Sequence, residues 1–372
     1  MKFKSFLMAP FALTLILGAC TQEKGADVKV TDVDHSWVKR QSIGNCWLYA
    51  AASWAESLHK STTFEEVNLS ETYWTYWHWY GQIVNKGITT IATGGNWWVS
   101  RNIILKYGYL LEGEFIPNED TEEMSAVQHN AEAYINAALG VGGELQSLTS
   151  RTPENVQKVL DKAYGVNMAE ARARAHEASS FVVGKTGAGA DISLAEAVAA
   201  SGENAWTTVN YPVVYGNPSE AVIKTRKDLM KRALRAINDR QPVVVSMYID
   251  FNALDIADAT FKRSTLLASG SMGKQGGHMV VLEDYAVDNV PDGNGGFFSI
   301  EEGDVSDDLK KMALEGDVRY LVAKNSWGTD RPDRGLTDGY TRFDAEYMNL
   351  PFARESGGSA SALSLFVLPP GY

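Results

Sequence analysis

The spacing of apolar residues changes along the chain, from a helical period in the first part to a strand period in the last. Apolar positions in 46–58 recur every three to four residues, over a stretch too long for an ordinary strand, which predicts a helix. A second helix is predicted to begin after Ser70, a suitable N-cap, and its many aromatic residues are expected to pack in the core. A third helix follows 94–98 and ends near Gly108.

Residues 121–201 are rich in Ala, Glu and Lys at helical spacing, and glycine-rich breaks at 140–143 and 184–189 divide them into two or three predicted helices. An amphipathic helix is predicted over 225–240. From residue 242 onward the period becomes that of strands. The predicted strands span 243–249, 279–285, 318–323, 339–343 and 362–368. Helices that precede a run of strands are typical of the α+β class.

The first residues have the pattern of a targeting segment. Lys2 and Lys4 precede an apolar run, 6–17, that is too short to span a bilayer. The sequence Leu-Gly-Ala-Cys that ends at Cys20 resembles the lipobox of bacterial lipoproteins, in which signal cleavage leaves the cysteine as a lipidated N-terminus. We therefore expect lipidation at Cys20, a lipid bilayer as partner, and a location in the bacterial cell envelope. Thr21, rather than Asp, follows the cysteine, and by resemblance to enterobacterial sorting rules this implies the outer membrane facing the periplasm.

These patterns divide the 372-residue chain into five parts. In order, they are a signal peptide (1–19), a lipidated tether (20–36), a helical lobe (37–120), a helical insertion (121–215) and a β-rich lobe (216–372). The net charge of −12 argues against nucleic acid as a partner. No cofactor and no metal is predicted. The acidic stretch 286–308 leaves a Ca²⁺ site and a solvated insertion open as alternatives, although its spacing does not match an EF-hand loop.

The chain has two cysteines, and if Cys20 carries lipid, Cys46 has no partner for a disulfide. A lone thiol is unusual in an exported protein, because that compartment favours disulfides. Cys46 is predicted to lie in the first turn of a helix, where unpaired N–H groups and the helix dipole favour the thiolate. The alternative is a small, unreactive core cysteine. On this stretch alone, the two interpretations stay open.

A thiol nucleophile needs an imidazole beside it, and the imidazole needs a partner on its other nitrogen. Cys46, His278 and Asn325 supply these three groups. His278 follows two glycines at the start of the second predicted strand, and Asn325 lies at the end of the third. A single histidine beside a strand is commonly structural, and a single asparagine at a strand end commonly forms a turn. The sequences that flank both residues favour the catalytic interpretation.

These flanking sequences, with others, resemble the papain family of cysteine peptidases. The resembling segments are 41–50, 69–71, 94–95, 277–281, 324–329 and 339–340. The block 324–329, Lys-Asn-Ser-Trp-Gly-Thr, is the most specific of them. Segments 69–73 and 94–108, and the lack of a second cysteine beside Cys46, are most similar to the bleomycin hydrolase/aminopeptidase C branch. The resemblance covers about half of the mature chain, and 121–215 lie outside it.

The resemblance implies a two-lobe fold with the active site in the cleft between the lobes. Cys46 is expected on a helix of one lobe, with His278 and Asn325 on the β-rich other lobe. In the family's mechanism the equivalent of Cys46 attacks as a thiolate, His278 protonates the leaving amine, and Asn325 orients His278. Trp327 would shield the His–Asn contact from water. Gln41 and the Cys46 backbone N–H would form the oxyanion hole.

Substrate binding is assigned by the same resemblance. Gly94 and Gly95 would pair with an extended substrate backbone, and Gly277 and Trp327 would border the cleft. The expected partner is therefore a peptide or protein substrate, and the sequence leaves the oligomeric state open.

Two departures from the family bear on the activity. Gln41 lies five residues before Cys46, where the family has six, so its role depends on a shorter loop. The chain ends soon after its last predicted strand, without the arm that aminopeptidases of the branch extend into the cleft, which favours an endopeptidase. The alternatives are an aminopeptidase of the bleomycin hydrolase type, amide exchange by the same triad, and a catalytically silent envelope protein that binds peptides.

Overall fold

The structure is a computed structural model that describes residues 33, 35–85, 87–121, 125–303 and 305–372. The predicted signal peptide, 1–19, and the predicted lipidation site, Cys20, lie outside these residues. Within the described part of the chain, no helix has both the length and the hydropathy needed to cross a membrane.

Eleven α-helices lie in the described residues. They are α1 Cys46–Thr63, α2 Glu71–Asn85, α3 Trp97–Tyr107, α4 Ala126–Leu139, α5 Pro153–Tyr164, α6 Met168–Arg174, α7 Leu194–Ala197, α8 Glu220–Asn238, α9 Arg263–Ser269, α10 Asp307–Ala313 and α11 Ala345–Asn349. The hydroxyl of Ser70 accepts the Tyr73 N–H at 3.1 Å, so the predicted N-cap of α2 is confirmed. The aromatic residues of α2 also lie in the core, as predicted, with Tyr73, Trp74 and Trp79 fully buried.

Thirteen strands are described. They are β1 Val182–Lys185, β2 Asp191–Ser193, β3 Thr207–Asn210, β4 Val243–Asp250, β5 Leu254–Asp255, β6 Thr260–Phe261, β7 Gln275–Pro291, β8 Phe297–Ile300, β9 Asp317–Lys324, β10 Tyr340–Asp344, β11 Phe352–Ala353, β12 Ser359–Ala360 and β13 Leu363–Leu368. Nine of them form one sheet in the order β3-β13-β4-β7-β9-β10-β6-β5, with β8 beside β7. The strands β4, β7 and β9 are antiparallel neighbours at its centre.

The central strands bury both faces, because successive side chains of a strand point to opposite sides of the sheet. On β4, Val244 packs in the core that includes α1 and α2, whereas Val243 and Val245 pack in the core that includes α8. The helical part of the molecule therefore lies on one face of the sheet and α8 on the other. The α+β class predicted from the sequence is confirmed, with Cys46 on the helical part and His278 on the β-rich part.

The segment 121–215 contains more than the predicted helices. It holds α4 to α7, but β1 and β2 form a hairpin, and β3 pairs with β13 at the edge of the large sheet. Each of these strands has at most four residues and lacks a clear alternation of apolar positions, so the helical composition around them hid them. The division of the chain into five parts stays a prediction.

Candidate active site

Cys46 is the first residue of α1 and lies at the wall of a cleft of about 520 Å³. The cleft is also lined by Gln41, Gly277, His278 and Trp327, so the helix start and the strand β7 meet there. Only 7 % of the Cys46 surface is exposed, and it is the single cysteine among the described residues. The structure thus brings a thiol and an imidazole from opposite parts of the fold into one cavity.

The imidazole of His278 is held from one side. Its Nε2 lies 2.9 Å from Oδ1 of Asn325, the residue that follows β9, the antiparallel neighbour of β7. The Asn325 amide nitrogen donates to the Thr341 hydroxyl at 3.0 Å, which fixes Oδ1 toward the imidazole. An amide oxygen only accepts, so Nε2 of His278 carries the proton and Nδ1 is the basic nitrogen.

Trp327 covers this contact. Its ring stacks on the His278 ring with centroids 4.8 Å apart and an interplanar angle of 18°, and only 5 % of Trp327 is exposed. The guanidinium of Arg334 lies 4.3 Å from the Trp327 ring centroid. We call His278, Asn325, Thr341 and Trp327 the histidine cluster.

Burial governs the charges of the two reactive groups. It raises the pKa of the Cys46 thiol to about 11, although the backbone N–H groups of Met279, Trp47 and Cys46 itself lower that pKa. Burial also lowers the pKa of His278 to about 4, with a further decrease from Arg334 and an opposing effect of the Asn325 hydrogen bond. The helix start alone therefore does not give the lowered thiol pKa that the sequence predicted. At neutral pH the geometry favours a neutral thiol beside a neutral base.

Gln41 reaches the same cleft and is tied by its side-chain amide. Its Nε2 donates to the Ile43 carbonyl at 2.7 Å, and its Oε1 accepts the Ser326 hydroxyl at 2.5 Å. The Gln41 backbone N–H also donates to the Ser326 carbonyl at 2.9 Å. A primary amide has two N–H groups, so one remains for a ligand of the cleft. The role of Gln41 in an oxyanion hole stays a prediction.

Gly277 lines the cleft, whereas Gly94 and Gly95 lie beside the start of α1, outside this cavity wall. A Cβ at Gly95 would lie 2.4 Å from the Trp47 ring, so packing alone requires glycine there. The Trp47 indole N–H donates to the Thr93 carbonyl at 3.0 Å and holds this segment against the helix. The pairing of Gly94 and Gly95 with a substrate backbone also stays a prediction.

A second buried polar group lies next to the site and was not predicted. The ammonium of Lys39 contacts the carboxylates of Glu56 at 2.9 Å, Glu71 at 2.8 Å and Glu112 at 3.3 Å. We call these four residues the lysine cluster. The Lys39 carbonyl accepts the Gly328 N–H at 3.2 Å, which joins this cluster to the loop that carries Trp327.

Three cationic residues of the cleft were also missed by the sequence analysis: Lys274, Arg331 and Arg334. Arg331 and Arg334 follow the Asn-Ser-Trp-Gly block closely, and this proximity is the one signal that could have indicated them. In the described part of the chain, no group of three or more His, Cys, Asp or Glu side chains is arranged to hold a metal ion.

No family model matches the chain, and no curated protein matches it. Solved structures that match the chain include xylellain, a cysteine protease from Xylella fastidiosa, with a TM-score of 0.37 and 14 % identity over 91 % of this chain and 85 % of that one. The bromelain protease from Ananas comosus has a TM-score of 0.33 and 16 % identity, over 90 % of this chain and 93 % of that one. At this level of similarity, neither structure assigns an activity to the present chain.

Proposed function

We propose that the chain is a cysteine peptidase that hydrolyses peptide bonds through Cys46, His278 and Asn325. One observation carries this proposal: a buried imidazole, fixed through Nε2 by Asn325 at 2.9 Å and covered by Trp327, shares a cleft with the only described thiol. Such a fixed tautomer presents a base to a nucleophile, the arrangement that covalent catalysis requires.

The geometry gives each group a role. Nδ1 of His278 takes the Cys46 proton as the sulfur adds to the scissile carbonyl, and the imidazolium then donates that proton to the leaving amine. Water, deprotonated by the same nitrogen, hydrolyses the resulting thioester and releases the acid. The Cys46 backbone N–H and the remaining N–H of Gln41 would stabilise the oxyanion, for which one donor is worth about 10²–10³ in rate.

We propose an endopeptidase rather than an aminopeptidase. Among the described residues, the segment 369–372 packs on α8, where the Tyr372 carbonyl accepts from Arg232 and the Tyr372 ring lies under Arg235, and this segment does not line the cleft. The alternatives remain an aminopeptidase of the bleomycin hydrolase type and a silent peptide-binding protein.

We further propose that the enzyme is anchored at Cys20 and acts at the bacterial cell envelope, on the strength of the lipobox-like sequence. Metabolic labelling with a fatty acid tests this proposal. Label on the full chain that disappears in Cys20→Ala supports it, and equal label in both chains contradicts it.

Digestion of a mixed peptide library by residues 21–372, beside a Cys46→Ala control, tests the peptidase. We expect internal cuts that vanish in the control. Release of N-terminal residues alone would indicate the aminopeptidase instead. If nothing is cleaved and Cys46 is also inert to an epoxide inhibitor, the silent binding protein is supported.

A further inference from the structure

The wall of the cleft beside Trp327 is positively charged, although the whole chain has a net charge of −12. Lys274, Arg331 and Arg334 line it, and within the described residues no Asp or Glu does. Two carboxylates lie nearby and are already engaged. Asp333 accepts two hydrogen bonds from Arg331, at 2.7 Å and 2.6 Å, and the fully buried Asp250 accepts from backbone N–H groups and from the Gln275 amide.

The charge of Arg334 is therefore only weakly offset by a neighbouring carboxylate. Its Nε is 4.0 Å from Asp333, and within the described part of the chain its guanidinium makes no hydrogen bond. About a quarter of the side chain, 24 %, is exposed. Burial and, to a smaller extent, repulsion from Arg331 and Arg40 lower the pKa of Arg334 to about 10, whereas Asp333 opposes the decrease. The carboxylate of Asp333, which already accepts from Arg331, is thus the one that Arg334 shares.

The position of Arg334 is fixed rather than flexible. Its guanidinium stacks on the rings of Trp327, at 4.3 Å, and Phe251, at 4.9 Å. The loop that holds it is closed by two backbone hydrogen bonds of 3.0 Å between Arg331 and Leu336. Gly335 completes the turn at φ +70, and a Cβ there would lie 2.1 Å from the Ile256 carbonyl oxygen. A guanidinium held in this way loses little freedom when it binds a carboxylate.

The chemistry of the site defines which part of a substrate meets Arg334. His278 must reach the leaving amine to protonate it, so the residues after the cut lie on the imidazole side of the thiol. Trp327 stacks on that imidazole, and Arg334 stacks on Trp327. The cationic wall consequently borders the substrate residues that follow the scissile bond.

We propose that Arg334, with Lys274, binds a carboxylate of the substrate on the leaving-group side, so that preferred substrates carry Asp, Glu or a free C-terminus directly after the cut. This inference rests on the proposed function for the direction of the substrate. A charged hydrogen bond of this kind corresponds to roughly a tenfold preference over a neutral isostere.

Binding to the Cys46→Ala chain tests the inference without any need for hydrolysis. Four acetylated peptides share one neutral sequence around a central pair of identical residues. In three of them the C-terminus is amidated and the central pair is Glu, Gln or Lys. The fourth peptide has the Gln pair and ends two residues later in a free carboxylate. We expect the Glu peptide to bind about tenfold more tightly than the Gln peptide, and the Lys peptide to bind most weakly. Tight binding of the fourth peptide would show that a C-terminal carboxylate can take the place of the Glu side chain.

Variants locate the effect. Added to Cys46→Ala, Arg334→Gln should abolish most of the Glu preference, and Arg334→Lys should retain part of it. Lys227→Gln removes the same charge from α8, away from the cleft, and should leave the preference unchanged. Equal affinity for the Glu and Gln peptides, or a preference that survives Arg334→Gln, would overturn the inference. Absence of cleavage by the unmodified chain would instead overturn the peptidase proposal, with the binding preference intact.

Discussion

Two buried polar clusters lie side by side, and they use burial in opposite ways. The histidine cluster contains one titratable group, which burial keeps neutral by lowering its pKa to about 4. The lysine cluster contains four, and although burial lowers the pKa of Lys39, attraction to the three carboxylates outweighs burial, raises that pKa and keeps Lys39 charged. Asn325 and Lys324 are adjacent in sequence, and Lys324 donates to Ser36 beside the lysine cluster. The neutral imidazole of the histidine cluster can thus accept a proton, whereas the ion pairs of the lysine cluster stabilise the surrounding structure.

The comparison predicts that His278→Ala affects activity much more than stability. Loss of the proposed general base should lower kcat/KM by about 10²–10⁴, while the free energy of unfolding falls by about 1–3 kcal/mol, because a neutral ring with one hydrogen bond and one stacking contact is removed. Peptidase assays and denaturant unfolding measure the two quantities on the same preparation. A variant that unfolds easily yet keeps its activity per folded molecule would reverse the assignment.

Lys39→Met should do the opposite. Removal of one partner leaves three buried carboxylates without their cation, a change that typically costs about 3–5 kcal/mol of stability. Urea unfolding measures this loss, and Lys60→Met is the matched control, since Lys60 pairs with Glu66 at the surface. Equal stability of the two variants would mean that the lysine cluster is not structural.

Gln41→Ala tests whether the Gln41 side chain stabilises the oxyanion. If Gln41 supplies an oxyanion donor, kcat should fall about 10²–10³ with KM little changed. Ser326→Ala removes the hydroxyl that Gln41 accepts, but retains the amide N–H groups, and should cost much less. A similar loss in both variants would assign Gln41 to loop packing.

The pH dependence of kcat/KM tests whether burial keeps His278 neutral. The active form of the Cys46–His278 pair holds one proton, so kcat/KM should fall tenfold per pH unit as a second proton binds below about pH 4. Arg334→Gln removes a cation that lowers the pKa of His278, and should move this limb to higher pH. Circular dichroism at each pH separates the limb from acid unfolding. A wild-type limb near pH 6.5 would show that the imidazole is not held neutral.

Glu112→Gln should have the smallest effect. Burial raises the pKa of Glu112 to about 7, so its protonated form stabilises the fold below the ordinary pKa of 4.5, and that contribution is lost as pH rises through 7. The variant should therefore unfold within about 1 kcal/mol of the wild type at pH 5 and flatten the decline in stability toward pH 7. Parallel stability curves would contradict this assignment.

The sequence predicted the parts of the site that local patterns encode. The strand period placed β4 and β9 to within one residue of their ends, whereas the predicted strand 279–285 covers only the middle of β7. The motifs around His278 and Asn325 lie at the ends of β7 and β9. The lysine cluster was not predictable in this way. Lys39 and its partners Glu56 and Glu71 are 17 and 32 residues apart, and each looks like an ordinary surface charge in its own segment. The pKa of Cys46 was misjudged for the same reason, since its burial depends on β7.

The two glycines beside α1, Gly94 and Gly95, define where the proposed peptidase could be re-engineered. The Trp47 ring leaves no room for a side chain at position 95, so we expect most substitutions of Gly95 to disturb folding. Gly94 is exposed, has no atom within 4 Å of an added Cβ, and does not need a left-handed backbone. A saturation library aimed at substrate selectivity on this side of Cys46 should therefore randomise position 94 and leave position 95 untouched.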